Sequence, residues 1–539
     1  MQSTALLTRL QAAPIYFQRK GRGRFKAAPQ DIVKAALAGQ EKRRQRDAQI
    51  EAHAQAMVAG ELPAPIGAIA AELLVRPDKQ SIEWKALEQA GAATGKAPER
   101  LLFDLGAFAS PLELHRQRFL VEMFPSGAKA PVVPDWREQT GFDARLAALP
   151  LAPAAAFSID DSATTEVDDA FSLQRLGDGR LRVGVHIAVP AMVAEPDGAI
   201  DQIARERMST VYLPGDKITM LDEAFVAAFS LDAGKEVPAL SIYFELDEAG
   251  ESVVQVDSLL ERVAIVDNLR HDQLDDLVTE AALADPAIEM PHGESLRLLW
   301  RLTLAQCLKR EQFRGKPEPR FRGDFSFRFE GEQVFIEQRR RDTPLSRIVA
   351  EMAILANSSW GRMLAERDIA GIYRSQQAGR VRVSTQALPH EGLGVAQYMW
   401  ATSPLRRYID LINQRQLLAM VQDTAPPLNA RSAELFSVIP SFDARYSAYQ
   451  DFQQKMERYW CLHAGCQQPG RRLAAVAVRD ETVRLAEAPL YLRPSGVPPM
   501  PPGQAMLIDV LDYSLLDLSV EARFVALAGE EESAVVEDA

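Results

Sequence analysis

Ten consecutive residues carry five carboxylates and no base: Asp160-Asp161-Ser162-Ala163-Thr164-Thr165-Glu166-Val167-Asp168-Asp169. Such a run cannot sit in an apolar core, because crowded carboxylates repel one another and resist ionisation unless solvent or a cation compensates them. Its flanks read as strands, Phe157-Ser158-Ile159 before it and Ala170 to Leu176 after it. Gly177-Asp178-Gly179 then turns the chain into a further strand from Arg180 to Ala188, a hairpin signature. The fold must therefore suspend an acidic loop from a sheet. A solvated loop is the commonest fate of such a run. An EF-hand calcium loop is excluded, since its sixth position needs Gly and holds Thr165, and its twelfth needs Glu and holds Phe171. A structural metal loop or a catalytic cation site would use the same hard oxygen donors. Two Mg2+ ions about 3.5–4 Å apart are a common device for phosphodiester hydrolysis, and Mn2+ suits the same donors.

Elsewhere the texture predicts an α+β multidomain chain. Residues 29–60 read as a helix, and segments such as Ile66 to Leu74 and Leu112 to Met123 alternate with Pro and Gly breaks. This predicts a helical, helix-turn-helix-like domain over residues 1–125. Pro125 to Pro134 is a linker. Over 136–467, strands at Ala239 to Leu246 and Val256 to Val266 give way to helices at Pro344 to Arg367, Arg406 to Val421 and Phe442 to Ala464, a central mixed α+β body. Strands return over 470–528, broken by the Pro-rich loop Gly496 to Gly503, and predict a small five-stranded OB-type barrel. Residues 529–539 read as a disordered acidic tail.

The formal charge of −13 argues, taken alone, against a nucleic-acid binder, but the charge is unevenly distributed. Residues 1–46 hold eleven basic side chains against Asp31 and Glu41, a net +9, with Tyr16, Phe17 and Phe25 interleaved among Arg19, Lys20, Arg22, Arg24 and Lys26. Cations that neutralise phosphates beside aromatic faces that stack on bases suit a polyanion, and a solvated basic face is the equal alternative. Three cysteines cannot make a disulfide framework, so a reducing, cytoplasmic setting is expected. No stretch approaches the about 20 apolar residues of a membrane span. Gly91 to Lys96 imitates a P-loop but is one residue short between its glycines and lacks Ser or Thr after Lys96, so no nucleotide cofactor is expected. His186 reads as a satisfied core histidine, and Cys461, His463 and Cys466 as packing rather than a zinc site.

Further motifs follow in order: Met208-Ser209-Thr210-Val211-Tyr212-Leu213-Pro214-Gly215, Glu351 to Asn357, Thr402-Ser403-Pro404-Leu405-Arg406-Arg407-Tyr408, and Met456-Glu457-Arg458. Ser403-Pro404 is expected to open a helix whose first turn presents two arginines, a phosphate-binding corner. Together with the acidic run, these landmarks resemble the ribonuclease II / RNase R (RNB) family of 3′→5′ exoribonucleases across most of residues 157–465.

The resemblance implies a processive, metal-dependent exoribonuclease that hydrolyses single-stranded RNA to 5′-mononucleotides, working as a monomer with two Mg2+ ions, for which Mn2+ could substitute. It assigns the metal site to Asp160, Glu166, Asp168 and Asp169, with Asp168 most critical for turnover. The family usually has Asp where Glu166 stands. Arg406 would clamp the scissile phosphate with Arg407 as its support, Glu457 would hold the 3′-terminal nucleotide, and Tyr212 would stack on a base. Phe325 or Phe327 would supply the terminal stack, while His271 replaces a tyrosine common among relatives. The N-terminal helices, expected to form a winged-helix-like module with Arg22 and Arg24 on RNA, replace the usual cold-shock barrels, and the terminal barrel matches an S1 domain by position. The rivals are a catalytically attenuated RNA binder on the same fold and a small-molecule phosphatase.

Overall fold

The structure, a computed structural model, describes residues 2–21, 24–318, 324–331, 333–339, 342–466 and 472–528. Arg22 and the acidic tail at 529–539 lie outside them. The chain divides into two compact units, residues 1–125 and 126–539. The first is helical apart from one hairpin, Phe17–Arg19 with Phe25–Ala27, whose exposed end carries Lys20 and Arg24. Its longest helix, Gln30–Val58, buries Ile50, Ala54 and Met57 in its second half, whereas its basic first half is largely exposed. Ser81 and Ser110 cap two further helices by accepting from the N–H groups of Trp84 and Glu113.

The second unit is organised on a closed barrel of five strands: β1 Ala156–Asp160, β2 Asp169–Arg175, β3 Leu181–Ala188, β4 Glu236–Leu246 and β5 Val253–Arg270. Neighbours pair antiparallel from β1 to β5, and parallel pairing of β1 with β5, from Ala156↔Ile265 to Asp160↔Arg270, closes the ring. All but the first residue of β4 are buried, so both its faces are covered, which explains its near-continuous apolar sequence. The barrel encloses a polar cluster as well. His186 is fully buried, with Nδ1 2.7 Å from Ser241 Oγ and Nε2 2.8 Å from Ser172 Oγ. Gly184 lies beside it because nothing larger fits: a Cβ there would come within 2.5 Å of Ser172 Oγ.

Two helices, Pro344–Glu366 and Tyr408–Val421, share one apolar core with the barrel. The second is held by buried polar side chains that grip backbone. Asn413 bonds both the N–H and the C=O of Ile372 and the C=O of Trp400. Gln416 bonds the carbonyls of Ala370 and Leu428 and the N–H of Leu428, and Arg415 bonds Ala194 O and Asp201. A buried polar group costs stability only when unpaired, so these pairings fix the register of the helix.

The long helix Ala433–Cys466 leads to an antiparallel sheet in the order Tyr491–Leu492, Thr482–Leu485, Arg472–Arg479, Ala505–Ser514, Ser519–Leu527. A parallel bridge from Ser495 to Arg523 ties its two ends. The single strand expected at Thr482 to Leu492 is thus broken in two. Among the described residues no helix is long and apolar enough to cross a membrane.

Candidate active site at the barrel rim

The acidic run leaves the end of β1 and re-enters at the start of β2, which sets Asp160 and Asp169 on one rim of the barrel. Asp160 accepts from Ser158 Oγ at 2.6 Å, and burial raises its pKa. Asp169 is pushed well above the carboxylate range, first by burial and then by the charges of Asp160 and Asp168. Between them in sequence, Glu166 and Asp168 are both buried. Asp161 turns away: Arg339 pairs with its carboxylate, and Arg270 donates to its carbonyl at 2.9 Å.

Asp168 carries two hydrogen bonds from a segment far off in sequence. The Leu405 N–H donates to Oδ1 at 3.1 Å and Arg406 Nε to Oδ2 at 2.8 Å. Burial outweighs these and brings Asp168 up to about 7. The Arg406 side chain is 41% exposed. One terminal nitrogen of Arg406 donates to Ser403 Oγ at 3.1 Å, and the other has no hydrogen bond among the described residues.

The helix expected at Ser403-Pro404 starts instead at Tyr408. The intervening backbone is spent elsewhere: the Ser403 N–H goes to Asp410, Leu405 N–H to Asp168, and Arg406 O accepts from Thr210 N–H. The Arg406 carbonyl and the Tyr408 N–H, which helix bonds would need, are instead paired with residues 208–210, so the helix begins only at Tyr408. Arg407 pairs with both oxygens of Asp410 through Nε and one terminal nitrogen, and its guanidinium lies 4.0 Å from the centre of the Trp400 ring.

Tyr212 and Lys217 come from the hairpin Val211–Leu213 / Asp216–Ile218, where they pair across strands and share a face. Tyr212 is 40% exposed, and its hydroxyl donates to Glu166 Oε2 at 3.0 Å. Lys217 Nζ lies 3.6 Å from Glu166 Oε1, and that buried oxygen has no hydrogen-bond partner. Lys217 escaped the sequence reading, although a Pro-Gly turn with Tyr212 on one side marks its position opposite. A pocket of about 120 Å3 opens beside this group, lined by Tyr212, Arg406, Arg407, Tyr446, Tyr449 and Gln453. Gln453 Nε2 donates at 3.0 Å to Glu457, whose pKa burial raises.

Phe325 is elsewhere. It lines a cavity of about 700 Å3 between the hairpin Asp324–Glu330 / Gln333–Arg339, the end of the long helix and the terminal sheet, and Phe327 packs into the apolar core of that sheet. His271 faces Arg339, with Nε2 2.7 Å from its guanidinium. Arg24 belongs to the N-terminal unit.

The orphaned oxygen of Glu166 and the strained ionisation of Asp160 and Asp169 fit a hard cation by donor chemistry. Among the described residues no three His, Cys, Asp or Glu side chains converge as a ready ligand shell. Two of the four carboxylates already face a protein cation, Asp168 facing Arg406 and Glu166 facing Lys217.

The RNB domain profile matches residues 150–383 and 377–423, together 274 of the 539 residues. An uncharacterized ribonuclease of Synechocystis sp. is 28% identical over 337 residues, covering 57% of this chain and 48% of its own length. Exoribonuclease 2 of Edwardsiella piscicida is 27% identical over 351 residues, 53% of each chain. The chain therefore spans about half the length of the curated relatives it matches. Among solved structures, Mycoplasma genitalium RNase R in complex with ribose-methylated single-stranded RNA superposes with a TM-score of 0.65 at 13% identity, over 77% of this chain and 78% of that one. An active-site mutant of the Dss1 exoribonuclease from Candida glabrata gives 0.68 at 18% identity, over 88% and 69%. Yeast Ssd1, a pseudonuclease, gives 0.51 at 15% identity, over 69% and 54%.

Proposed function

The chain belongs to the RNB domain family, and from that membership and the rim site we propose that it is a metal-dependent exoribonuclease that shortens single-stranded RNA from the 3′ end. The observation that carries this reading is the meeting of Arg406 with Asp168 beside Asp160 and Asp169, four residues drawn from two distant segments.

Asp160 and Asp169, which lack a protein cation at ion-pair distance among the described residues, are the side chains that would hold Mg2+ or Mn2+. Such an ion, when bound, polarises the phosphoryl group and eases deprotonation of water. Arg406 grips the scissile phosphate through its unspent terminal nitrogen while its Nε stays on Asp168. Asp168, held by the Leu405 N–H and by Arg406 beside Asp169, is placed to orient the attacking water. Tyr212 offers its exposed ring to a base, and Gln453, on the pocket wall and bonded to Glu457 one turn on, would meet the last ribose. Upstream RNA would be held by the basic N-terminal hairpin and by the terminal sheet, read as an S1-like barrel.

Product sizing tests the proposal. A 5′-labelled single strand should shorten stepwise with release of nucleoside 5′-monophosphates in Mg2+, and remain intact in EDTA or with Asp168→Asn. Binding without shortening by the wild-type protein would favour the attenuated RNA binder instead.

A further inference from the structure

Glu166 is one methylene longer than Asp160, Asp168 and Asp169, and the structure shows what the longer side chain reaches. One oxygen takes the Tyr212 hydroxyl and the other faces Lys217 at 3.6 Å. Lys217 is no free-swinging surface lysine. It sits opposite Tyr212 on a two-stranded hairpin closed by Leu213-Pro214-Gly215-Asp216, in which Pro214 and Gly215 occupy the central turn positions. Gly215 has φ +75°, and a Cβ there would come within 2.7 Å of Phe329 Cε2, so both the turn and its packing demand glycine. The ammonium is anchored further by the Thr165 hydroxyl, next to Glu166 in the chain. A short, fixed turn thus delivers a cation and a phenol together onto one carboxylate.

The remaining charges divide the site. Arg406 neutralises Asp168. Asp160 and Asp169 have no lysine, arginine or histidine nitrogen at ion-pair distance among the described residues; they feel Arg406, and Asp160 also Arg270, only at longer range, while Arg339 and His271 are directed at Asp161. A second ion would have to share Glu166 with an ammonium held 3.6 Å away, against direct repulsion.

We propose that Lys217 is a positioning residue that occupies the charge role of a second metal ion at Glu166, so that the rim takes one divalent cation instead of two. This rests on the exoribonuclease reading for its biological sense but is tested separately from it.

The test is Mn2+ binding to the full-length protein, read from the electron paramagnetic resonance signal of free Mn2+ and by calorimetry, for wild type, Lys217→Met and Lys217→Arg, with thermal melts to confirm folding. Wild type should saturate at one Mn2+ per chain, Lys217→Met should take up a second, and Lys217→Arg should return to one. Wild type binding two ions, or equal stoichiometry in wild type and Lys217→Met, whether one, two or none, overturns the role of Lys217. Hydrolysis of a 5′-labelled strand by the wild-type protein reports on the exoribonuclease reading alone, so either conclusion can fail without the other.

Discussion

Asp168 and Arg406, 238 residues apart in the chain, meet at 2.8 Å on the barrel rim, one side chain nearly inaccessible and the other partly exposed. The carboxylate fixes Nε and so aims the rest of the planar fork. Lysine in that place would keep the charge but lose the fork, with no nitrogen both held by Asp168 and directed at phosphate. Arg406→Lys is therefore expected to lower kcat by about 10²–10³-fold, the range for removing one preorganised donor. Its melting temperature should stay near that of wild type, because a cation still faces Asp168. Single-turnover rates beside thermal melts check this; a variant within fivefold of wild type would remove Arg406 from the chemistry.

Tyr212 combines two functions that substitutions can separate. Its ring is exposed while its hydroxyl is spent on Glu166. Tyr212→Phe should leave RNA affinity within about twofold, whereas Tyr212→Ala should weaken it by about 1–3 kcal/mol, the worth of one stacked base. Fluorescence anisotropy in the Asp168→Asn background, where RNA survives the measurement, gives both numbers. Equal losses in the two variants would mean that the ring does not stack.

The N-terminal hairpin predicts a salt effect. Lys20, Arg24 and Lys26 are exposed on or beside its turn. Each phosphate contact on a single strand contributes about −0.7 to the slope of log K against log salt. Replacing all three with Gln should make that slope shallower by about 2 if each engages a phosphate. An unchanged slope would show that RNA does not touch the hairpin.

Acid should unfold the protein in part through His186. Burial holds its imidazole down to about 3, against an ordinary value of about 6.5. Between those values the unfolded chain binds a proton that the folded chain refuses. The contribution of His186 is thus complete above pH 6.5 and drains away as pH falls, at up to about 1.4 kcal/mol per unit. Urea midpoints from pH 7 to pH 4 should fall more steeply for wild type than for His186→Gln, and parallel curves would refute the assignment.

The legibility of these features in sequence follows from where their partners lie. The strands around the acidic run, and the long helices after Pro344, were readable because hydrophobic periodicity and turn residues are local signals. The run of carboxylates is plain in the sequence, but adjacency could not choose among them: the family resemblance singles out Asp160, Glu166, Asp168 and Asp169, and the equally adjacent Asp161 turns away to Arg339. What sequence could not show was competition from afar. Ser403-Pro404 has the look of a helix start, yet pairing of Arg406 O and Tyr408 N–H with the distant residues 208–210 delays the helix to Tyr408. Phe325 shares the residue type of a base-stacking position, but its hairpin carries it to the terminal sheet. The order of the barrel strands, with β1 closing in parallel against β5, is likewise a long-range fact.

The helix Tyr408–Val421, which directly follows the arginine pair, is held chiefly through carbonyl and amide groups of its neighbours, at Ile372, Trp400, Ala370, Leu428 and Ala194. Every residue type offers the same carbonyl. The segments being gripped can therefore change their side chains without loosening the grip, while Asn413, Arg415 and Gln416 cannot be exchanged without leaving buried groups unpaired. Sequence drift is thus channelled onto the held segments and away from the holder, and the aim of Arg406 is insulated from most of the substitutions around it.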